Sequence, residues 1–346
     1  MSTDLTTTAL WKDAQELPSS LSDTLEGLKS TSELADLLSR PGVQRIIATG
    51  NGASWYAAIA FWLASLSTRI PIGVTCVPAG LLAAGEFDWR EGDRLLAFSS
   101  SGRLRDVSEA VEAENFPGPF GLITADADSL LGRAAGARSM VTVHNQRAVT
   151  HTQAYLGAAL VALDLVGRLA GDESVRHAVQ SVPDLLDQQL QAASAWADEL
   201  SDGLEVPVSS IAFGTRQAWP AAMEAALLLK ETSIVPAEGM ETREGATSGM
   251  YALSKSHLAL GLGLGATDRL VGEALRVCAA TGARTVRVDP PDEASPLVAV
   301  ATLFLHPLAL AIRLALMQGR DPDQPGWYAA YQETAWSPAP TTTEPA

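Results

Sequence analysis

Two glycine- and serine-containing segments stand where chemistry could take place. The first, GNGAS (residues 50–54), follows the apolar run RIIAT, and the second, SSSG (99–102), follows RLLAF. Glycine permits tight turns and close approach of a ligand to the backbone, and serine hydroxyls donate hydrogen bonds to oxyanions or sugars. Each segment joins an apolar run to an amphipathic one, so both predict helix starts able to bind one anion or sugar. The candidate contacts are Gly50, Gly52, Ser54, Ser99, Ser100 and Ser101.

These segments must be positioned by alternating strands and helices. In the first half, apolar runs predict strands at 45–49, 72–77, 94–98, 120–124 and 140–143, with helices at 22–40, 54–67, 79–87, 105–115, 127–135 and 152–169. Near-continuous apolar strands separated by helices indicate a parallel sheet covered on both faces. The fold class predicted is therefore α/β.

The second half repeats this order. Strands are predicted at 209–213, 257–262, 284–288 and 298–304, and helices at 217–230, 268–281 and from 305 to 317. Such a repeat predicts two tandem copies of one α/β domain, each a three-layer, flavodoxin-like sandwich. The predicted organisation is a leader with a helix (1–40), a first domain (41–170), a helical connector that breaks at Pro183 (171–205), a second domain (206–325) and a tail (326–346).

Composition excludes several classes of protein. The formal net charge of −16 disfavours a nucleic-acid partner. The N-terminus lacks the basic and apolar regions of a signal peptide, and the apolar run 297–311 is too short to span a bilayer. Cys76 and Cys278 lie in apolar runs, as buried thiols of a reducing compartment do. We expect a soluble cytoplasmic protein without a membrane partner.

Metal and cofactor motifs are not found in the sequence. The five histidines form no paired pattern with acids or cysteines, so no metal is expected. The stretch GLGLGA (261–266) breaks the glycine spacing of a dinucleotide-binding turn, and no phosphate-loop lysine follows a strand. We therefore expect no cofactor.

At this point the chain resembles the double sugar isomerase (SIS) proteins. GNGAS and SSSGR resemble the two turns with which SIS domains hold a sugar phosphate. MEAALLLKETSIVPAEGM (223–240) resembles the helix of the family that ends in Lys-Glu, and LALAIRLALMQGRDPDQP (308–325) resembles its closing helix and turn. The resemblance covers residues 45–325 and implies two tandem SIS domains. The relatives include the isomerase half of glucosamine-6-phosphate synthase, amino-sugar deaminase/isomerases and fructosamine-6-phosphate deglycases.

The resemblance also implies site residues. It makes Glu231 the base that shuttles a proton between two sugar carbons, with Glu224 two helical turns earlier on the same face. Val149 would offer a carbonyl to a sugar hydroxyl, Thr152 would cap the following helix, and Glu238 would have a structural or substrate-contacting role. His151 could enter the site as an acid or base, although a structural role is the alternative.

Several family positions are changed here. The histidine that assists ring opening is replaced by Thr247 or Ser248, depending on a one-residue gap. Lysines of the family correspond to Gln153, Leu228 and Ala330, and the threonine of the second phosphate turn is Leu104. Arg103 and Arg105 could restore positive charge, although a solvated helix start is the alternative. The aromatic tail WYAAYQETAW (327–336) could cover the site, but packing on a partner is the interpretation favoured by its spacing.

Together these features predict a cofactor-free aldose–ketose isomerase or deaminase/isomerase. Its substrate would be a phosphorylated sugar or amino sugar, and the proton would move through an enediol or enolamine. One alternative is a non-catalytic regulator that binds a sugar phosphate. Another is an isomerase-like enzyme of specialised metabolism with an unphosphorylated substrate, which Leu104 would suit. The resemblance further implies a homodimer.

Overall fold

Parallel strands form two sheets, one in each half of the chain. The computed structural model of the protein describes residues 4–28, 32–85, 87–324, 326 and 328–336. The strands are β1 (Arg45–Thr49), β2 (Gly73–Cys76), β3 (Asp93–Phe98), β4 (Gly121–Thr124), β5 (Ala137–Met140), β6 (Ser209–Gly214), β7 (Ala237–Glu241), β8 (His257–Leu262) and β9 (Arg284–Val288). The first sheet has the order β2-β1-β3-β4-β5, and the second has the order β7-β6-β8-β9. All their described pairings are parallel.

Helices cover both faces of each sheet and fill the space between the two halves. They are α1 (Ala9–Gln15), α2 (Leu17–Gly27), α3 (Ser32–Leu38), α4 (Ala53–Thr68), α5 (Ala79–Ala83), α6 (Arg105–Glu112), α7 (Leu130–Ala134), α8 (Gln153–Ala170), α9 (Glu173–Gln180), α10 (Val182–Ser201), α11 (Ala218–Ser233), α12 (Thr242–Thr247), α13 (Arg269–Ala280), α14 (Ala299–Thr302), α15 (Leu305–Met317) and α16 (Tyr328–Ala335). Short 3₁₀ helices lie at Leu5–Thr7, Gly249–Ala252 and Pro296–Val298. The predicted α/β class with tandem parallel sheets is confirmed.

The two halves share one core. Helix α4 of the first half packs against both α8 and α11, and α11 packs against α15. One continuous cluster of buried apolar residues includes Phe61 and Phe98 from the first half and Leu228 and Ile312 from the second. Since α11 is the first helix after β6, this packing places the second half beside the strand ends of the first sheet.

The second sheet differs from the sequence-based expectation. Residues 298–304 were expected as a strand, but they form the end of a 3₁₀ helix and α14, and they are fully buried at the centre of the core. A short apolar run cannot distinguish a buried strand from a buried helix, which explains the error. The fourth strand is instead β7, whose sequence AEGME has few residues that favour strands.

Smaller differences lie near the N-terminus and at β5. The predicted helix 22–40 is two helices, α2 and α3, and α1 precedes them, with the Thr8 hydroxyl accepting a bond from the Trp11 N–H. The strand expected at 140–143 is β5, three residues earlier, where only alternate residues are buried. The predicted break near Pro183 is confirmed, because α9 ends at Gln180 and α10 begins at Val182.

Two helical segments are long and apolar enough to cross a membrane by length and composition. They are Gln153–Ala170 and Pro296–Met317, and 78% and 83% of their most apolar windows are buried inside the protein. Both therefore serve as core helices of this fold. Residues 337–346 of the tail lie outside the described residues, as does Trp327.

Candidate functional site

A cavity of about 470 Å³ lies at the carboxyl ends of β1, β3 and β4. The chain runs from β1 to its neighbour β2 and then returns to β3 on the other side of β1. The space between the ends of β1 and β3 is thus the topological switch point, where parallel sheets bind ligands. Helix α11 closes this space from the second half of the chain, so both halves line the cavity.

The turn after β1 is built by its glycines. Gly52 lies at φ +55° and ψ −132°, a conformation that L side chains rarely adopt. A Cβ on Gly50 would lie 2.8 Å from the Ser54 backbone, so this glycine allows the strand end to approach α4. Ser54 is the second residue of α4 and lines the cavity. Gly52 also lines the cavity. Gly50 is not among the lining residues, and its role in the turn is structural.

The turn after β3 is held by the loop that follows β4. The Ser99 N–H donates to the Ile123 carbonyl (3.1 Å), and the Ala125 N–H donates to the Ser100 carbonyl (3.0 Å). Gly102 has φ +61°, and any Cβ there would collide with the Ser129 hydroxyl. The Asn51 amide donates to Asp106 Oδ2 (2.9 Å), which joins the two turns. The three serines, Ser99, Ser100 and Ser101, all line the cavity.

Two carboxyl groups enter the cavity from α11. Glu224 and Glu231 are seven residues apart, which places them two turns apart on one helix face. Burial raises the pKa of Glu224 well above its usual value, and the charge of Glu231 raises it further. Burial also raises the pKa of Glu231, while the Thr150 hydroxyl and Lys230 partly oppose that shift. A carboxylate with a raised pKa is a stronger base, as proton transfer from carbon requires.

Tyrosines surround these acids, and the sequence analysis missed them. Tyr155, near the start of α8, is buried and lines the cavity. Its pKa is raised well above the usual value by burial and by the charge of Glu224. Burial and both glutamates raise the pKa of Tyr56 to about 12, so its phenol stays protonated. The spacing of Tyr155, four residues after His151 near a helix start, was the available signal.

His151 lies in the segment that leads into α8, and it lines the cavity. The Gln146 side-chain nitrogen lies 3.3 Å from His151 Nδ1 and also donates to the Ala148 carbonyl (3.1 Å). An amide nitrogen can only donate, so Nδ1 accepts and the neutral ring carries its proton on Nε2. Burial lowers the pKa of His151, with Asp13 partly opposing the shift, and this favours the neutral ring. Val149 and Thr150 line the cavity beside it.

The C-terminal segment covers one side of the cavity. Trp336 pairs with Leu104 in an isolated antiparallel bridge and lines the cavity with it. The Arg105 guanidinium donates to the carbonyls of Glu333 (3.0 Å) and Trp336 (2.9 Å). Arg105 therefore holds this segment, and Trp336 lines the cavity, which is one of the two roles considered for the aromatic tail. Packing of the tail on a partner stays a prediction.

Other candidate residues lie outside the cavity. Glu238 is exposed on β7. The hydroxyls of Thr247 and Ser248 donate to the Arg243 and Glu244 carbonyls of their own helix. Thr152 occupies the N-cap position of α8, but its side chain makes no capping hydrogen bond.

The family positions that lost lysine have structural roles here. Leu228 is fully buried in the core. Gln153 exchanges hydrogen bonds with the His144 backbone through both ends of its amide (2.6 and 2.8 Å). Among the residues that the structure describes, no group of three or more His, Cys, Asp or Glu side chains could hold a metal ion.

Comparison with known proteins shows similarity in sequence and in fold. Over 257 residues, which are 67% of this chain, the sequence is 28% identical to the glutamine–fructose-6-phosphate aminotransferase (isomerizing) of Yersinia pseudotuberculosis. The chain spans 41% of the length of that relative. No protein-family model matches the chain.

Solved structures share the fold over nearly the whole chain. The C-terminal domain of glucosamine-fructose-6-phosphate aminotransferase from Francisella tularensis has a TM-score of 0.75 and 19% identity, and the match covers 92% of this chain and 98% of that one. Glucosamine-6-phosphate deaminase from Thermotoga maritima has a TM-score of 0.76 and 19% identity, with the same coverage.

Proposed function

We propose that the chain is an SIS-domain protein and that it acts as a cofactor-free isomerase of a phosphorylated sugar or amino sugar, as its similarity to the aminotransferase and its shared fold support. The observation that carries this proposal is the shared cavity, which is lined both by the serine turns of the first sheet and by Glu231 of α11. An anion subsite and a desolvated base that line one cavity are what proton transfer on a sugar phosphate requires.

In the proposed reaction the phosphate lies at the Ser99–Ser101 turn, near the N-terminus of α6. The hydroxyls of this turn and the helix N–H groups favour an anion there. Glu231 removes the proton from C2 of the open-chain aldose and returns it to C1, through a cis-enediol or an enolamine. The largely enclosed position of Glu231 keeps water from competing for that proton.

His151 is the group that we assign to ring opening. Its neutral ring presents an Nε2–H, which can donate a hydrogen bond to the ring oxygen of a cyclic sugar and stabilise the negative charge that develops there as the C1–O bond breaks. The proton that leaves the C1 hydroxyl passes to this ring oxygen, so the histidine keeps its own proton. The replaced family position, Thr247 or Ser248, lies outside the cavity of this chain. A histidine from the first half would thus supply the hydrogen bond that assists ring opening.

Proton exchange with solvent tests this function. In D₂O, ¹H NMR should show enzyme-dependent deuterium at C1 or C2 of glucose 6-phosphate, fructose 6-phosphate or glucosamine 6-phosphate. Glu231→Gln should slow this exchange by about 10²- to 10⁴-fold, because general-base catalysis has that size. His151→Gln should slow deuterium exchange less when the substrate is supplied in its open-chain form than when it is supplied in its cyclic form. Glu199→Gln, at an exposed carboxylate on α10, is the matched control.

A contrary result has a clear form. Saturable binding of these sugars without any deuterium exchange would contradict the isomerase proposal and indicate a regulatory, ligand-binding protein. Exchange that persists in Glu231→Gln would show that another group carries the proton.

We also propose a cytoplasmic homodimer whose ligand is a small sugar phosphate, with neither nucleic acid nor membrane as partner. The net charge of −16 supports the exclusion of nucleic acid. Sedimentation velocity at micromolar concentration should give twice the mass of one chain, and a monomer there would overturn the dimer.

A further inference from the structure

Glu224 is unlike the other strongly buried carboxylates of the described chain. Asp13, Asp93 and Asp164 are each about 1% exposed, and each forms an ion pair with arginine. Glu224 is 2% exposed, and the ion pairs among the described residues do not include it. Its Oε2 atom has no hydrogen-bond partner in the part of the chain that the structure describes. A buried carboxylate without a counter-charge is costly, so this position calls for an explanation.

A second unpartnered group lines the same cavity. Tyr155 is 3% exposed, and its hydroxyl lacks a hydrogen-bond partner within the described residues. Tyr155 and Glu224 both line the cavity, and the charge of Glu224 acts on Tyr155 strongly enough to raise its pKa. Buried polar atoms in native proteins are nearly always satisfied by protein, water or ligand. Two such atoms lining one cavity indicate that a ligand group satisfies both.

The charge balance of the cavity identifies that group. Glu224 and Glu231 bring two carboxyls, and the lining contains one lysine, Lys230, whose side chain is exposed and acts on Glu231. The position that carries a lysine in the family is Leu228, which is buried in the core. Arg105 is engaged by the C-terminal carbonyls. A cationic group on the ligand would therefore supply the charge that the chain does not.

We propose that Glu224 and Tyr155 form the binding site for a protonated amine of the substrate, which is thus an amino sugar. This inference rests on the proposed function and narrows its substrate class. A sugar hydroxyl could satisfy the hydrogen bonds of Glu224, but it would not stabilise the ionised form that burial disfavours. An ammonium group does both, because it has three donors and a positive charge, and charge-assisted hydrogen bonds are about twice as strong as neutral ones.

Calorimetric titration with matched sugars tests the site. Glucosamine 6-phosphate, glucose 6-phosphate and N-acetylglucosamine 6-phosphate differ only at C2, where they carry an ammonium, a hydroxyl and a neutral amide. We expect wild-type protein to bind the amine at least about tenfold more tightly than either of the others. In Glu224→Gln the preference should fall to about one, and Tyr155→Phe should reduce it several-fold. Both variants preserve side-chain shape, and Glu199→Gln should keep the full preference.

The outcomes separate this inference from the proposed reaction. Equal affinities in the wild type, or an amine preference that survives in Glu224→Gln, would overturn the amine site even if deuterium exchange occurs. Selective binding of the amine through Glu224 without any exchange would support the site and contradict the isomerase. If no phosphorylated sugar binds, the affinities for glucosamine and glucose are compared instead, in the wild type and in Glu224→Gln. No preference for glucosamine, or one that does not depend on Glu224, would overturn the inference.

Discussion

Buried acids dominate the site at the scale of single residues. Glu224 and Glu231 share one face of α11, and burial raises the pKa of both. The cavity thus holds carboxyls that gain protons more readily than free glutamate does. Their surroundings differ, because Lys230 and Thr150 lower the pKa of Glu231 and are not among the causes that act on Glu224. This difference supports the proposed roles of Glu231 as a base and Glu224 as a binding group.

This burial predicts how stability depends on pH. The raised pKa of Glu224 means that its contribution to folding is complete below about pH 4.3, the usual pKa of glutamate, and is lost as pH rises through the folded-state value. Glu224→Gln should remove that loss. At pH 8 the variant should be more stable than wild type by at least about 1.4 kcal/mol, the free energy of a tenfold change in proton affinity. As the pH falls from 8 toward 5 and below, the difference in stability between the two proteins should narrow.

Urea unfolding between pH 5 and pH 8 measures this difference. Glu199→Gln is the control, because its carboxylate is exposed on α10 and should leave the pH profile unchanged. A wild-type protein that is as stable as Glu224→Gln at pH 8 would show that the carboxylate is compensated in the free protein.

At the scale of elements, the serine turn after β3 and the C-terminal helix are linked by direct contacts. Leu104 ends the serine turn, pairs with Trp336 and precedes Arg105, which binds two carbonyls at the end of α16. The position where the family has a threonine hydroxyl is thus an apolar contact with the tail. Arg105 therefore binds the tail and is more than a solvated residue at the start of a helix.

Arg105→Ala should release this helix. Loss of two charge-assisted bonds should speed amide hydrogen exchange in 328–336 by about tenfold and raise KM more than it lowers kcat. Mass spectrometry of the exchanged peptides and steady-state kinetics provide the measurements. Arg103→Ala is the matched control, because Arg103 is exposed two residues earlier. Equal exchange in both variants would show that Arg105 does not hold α16.

At the scale of the whole molecule, distant segments of the chain hold the cavity in shape. Asp13 of α1 accepts bonds from the N–H groups of Arg147 and Ala148, and it pairs with the Arg147 guanidinium (3.1 Å). Asp323, near the C-terminus, accepts the Val149 N–H through its carbonyl (3.2 Å). Its carboxylate accepts the N–H groups of Ala9 and Leu10, both at 2.8 Å. The segment that carries Val149, Thr150 and His151 is therefore fixed from both chain ends.

Asp13→Asn should loosen this segment and the fold together. Breaking a buried ion pair typically costs about 3–5 kcal/mol, and we expect a loss of that size in urea unfolding, with weaker ligand binding by calorimetry. Asp23→Asn removes an exposed partner of His144 and should cost less than about 1 kcal/mol. Equal stability of the two variants would contradict the role of Asp13 in holding the segment that carries Val149, Thr150 and His151.

Local patterns predict elements well wherever one backbone conformation fits the residues. The glycines of the first turn required φ values or approaches that other residues do not tolerate, and β1, β8 and β9 begin and end where their apolar runs do. Residues 298–304 were assigned to a strand because burial on all sides removes the hydrophobic periodicity by which a helix is recognised. Strand β7 was missed because its sequence AEGME contains few residues that favour strands. Tyr155 and Trp336 have only weak local signals, the spacing from His151 and the aromatic tail, and tertiary packing decides that both line the cavity.

The sequence by itself determined the class of fold, the two serine turns and the two acids on one helix face, because these depend on short-range periodicity and turn geometry. Only the tertiary structure decided that these parts meet in one cavity and that Thr247 and Ser248 lie elsewhere. It also decided that, among the described residues, Glu224 Oε2 and the Tyr155 hydroxyl have no hydrogen-bond partner. The physical reason is that burial and counter-charge depend on the packing of α4, α8 and α11 across the two halves. Such packing is set by the whole chain and leaves no pattern in any one segment.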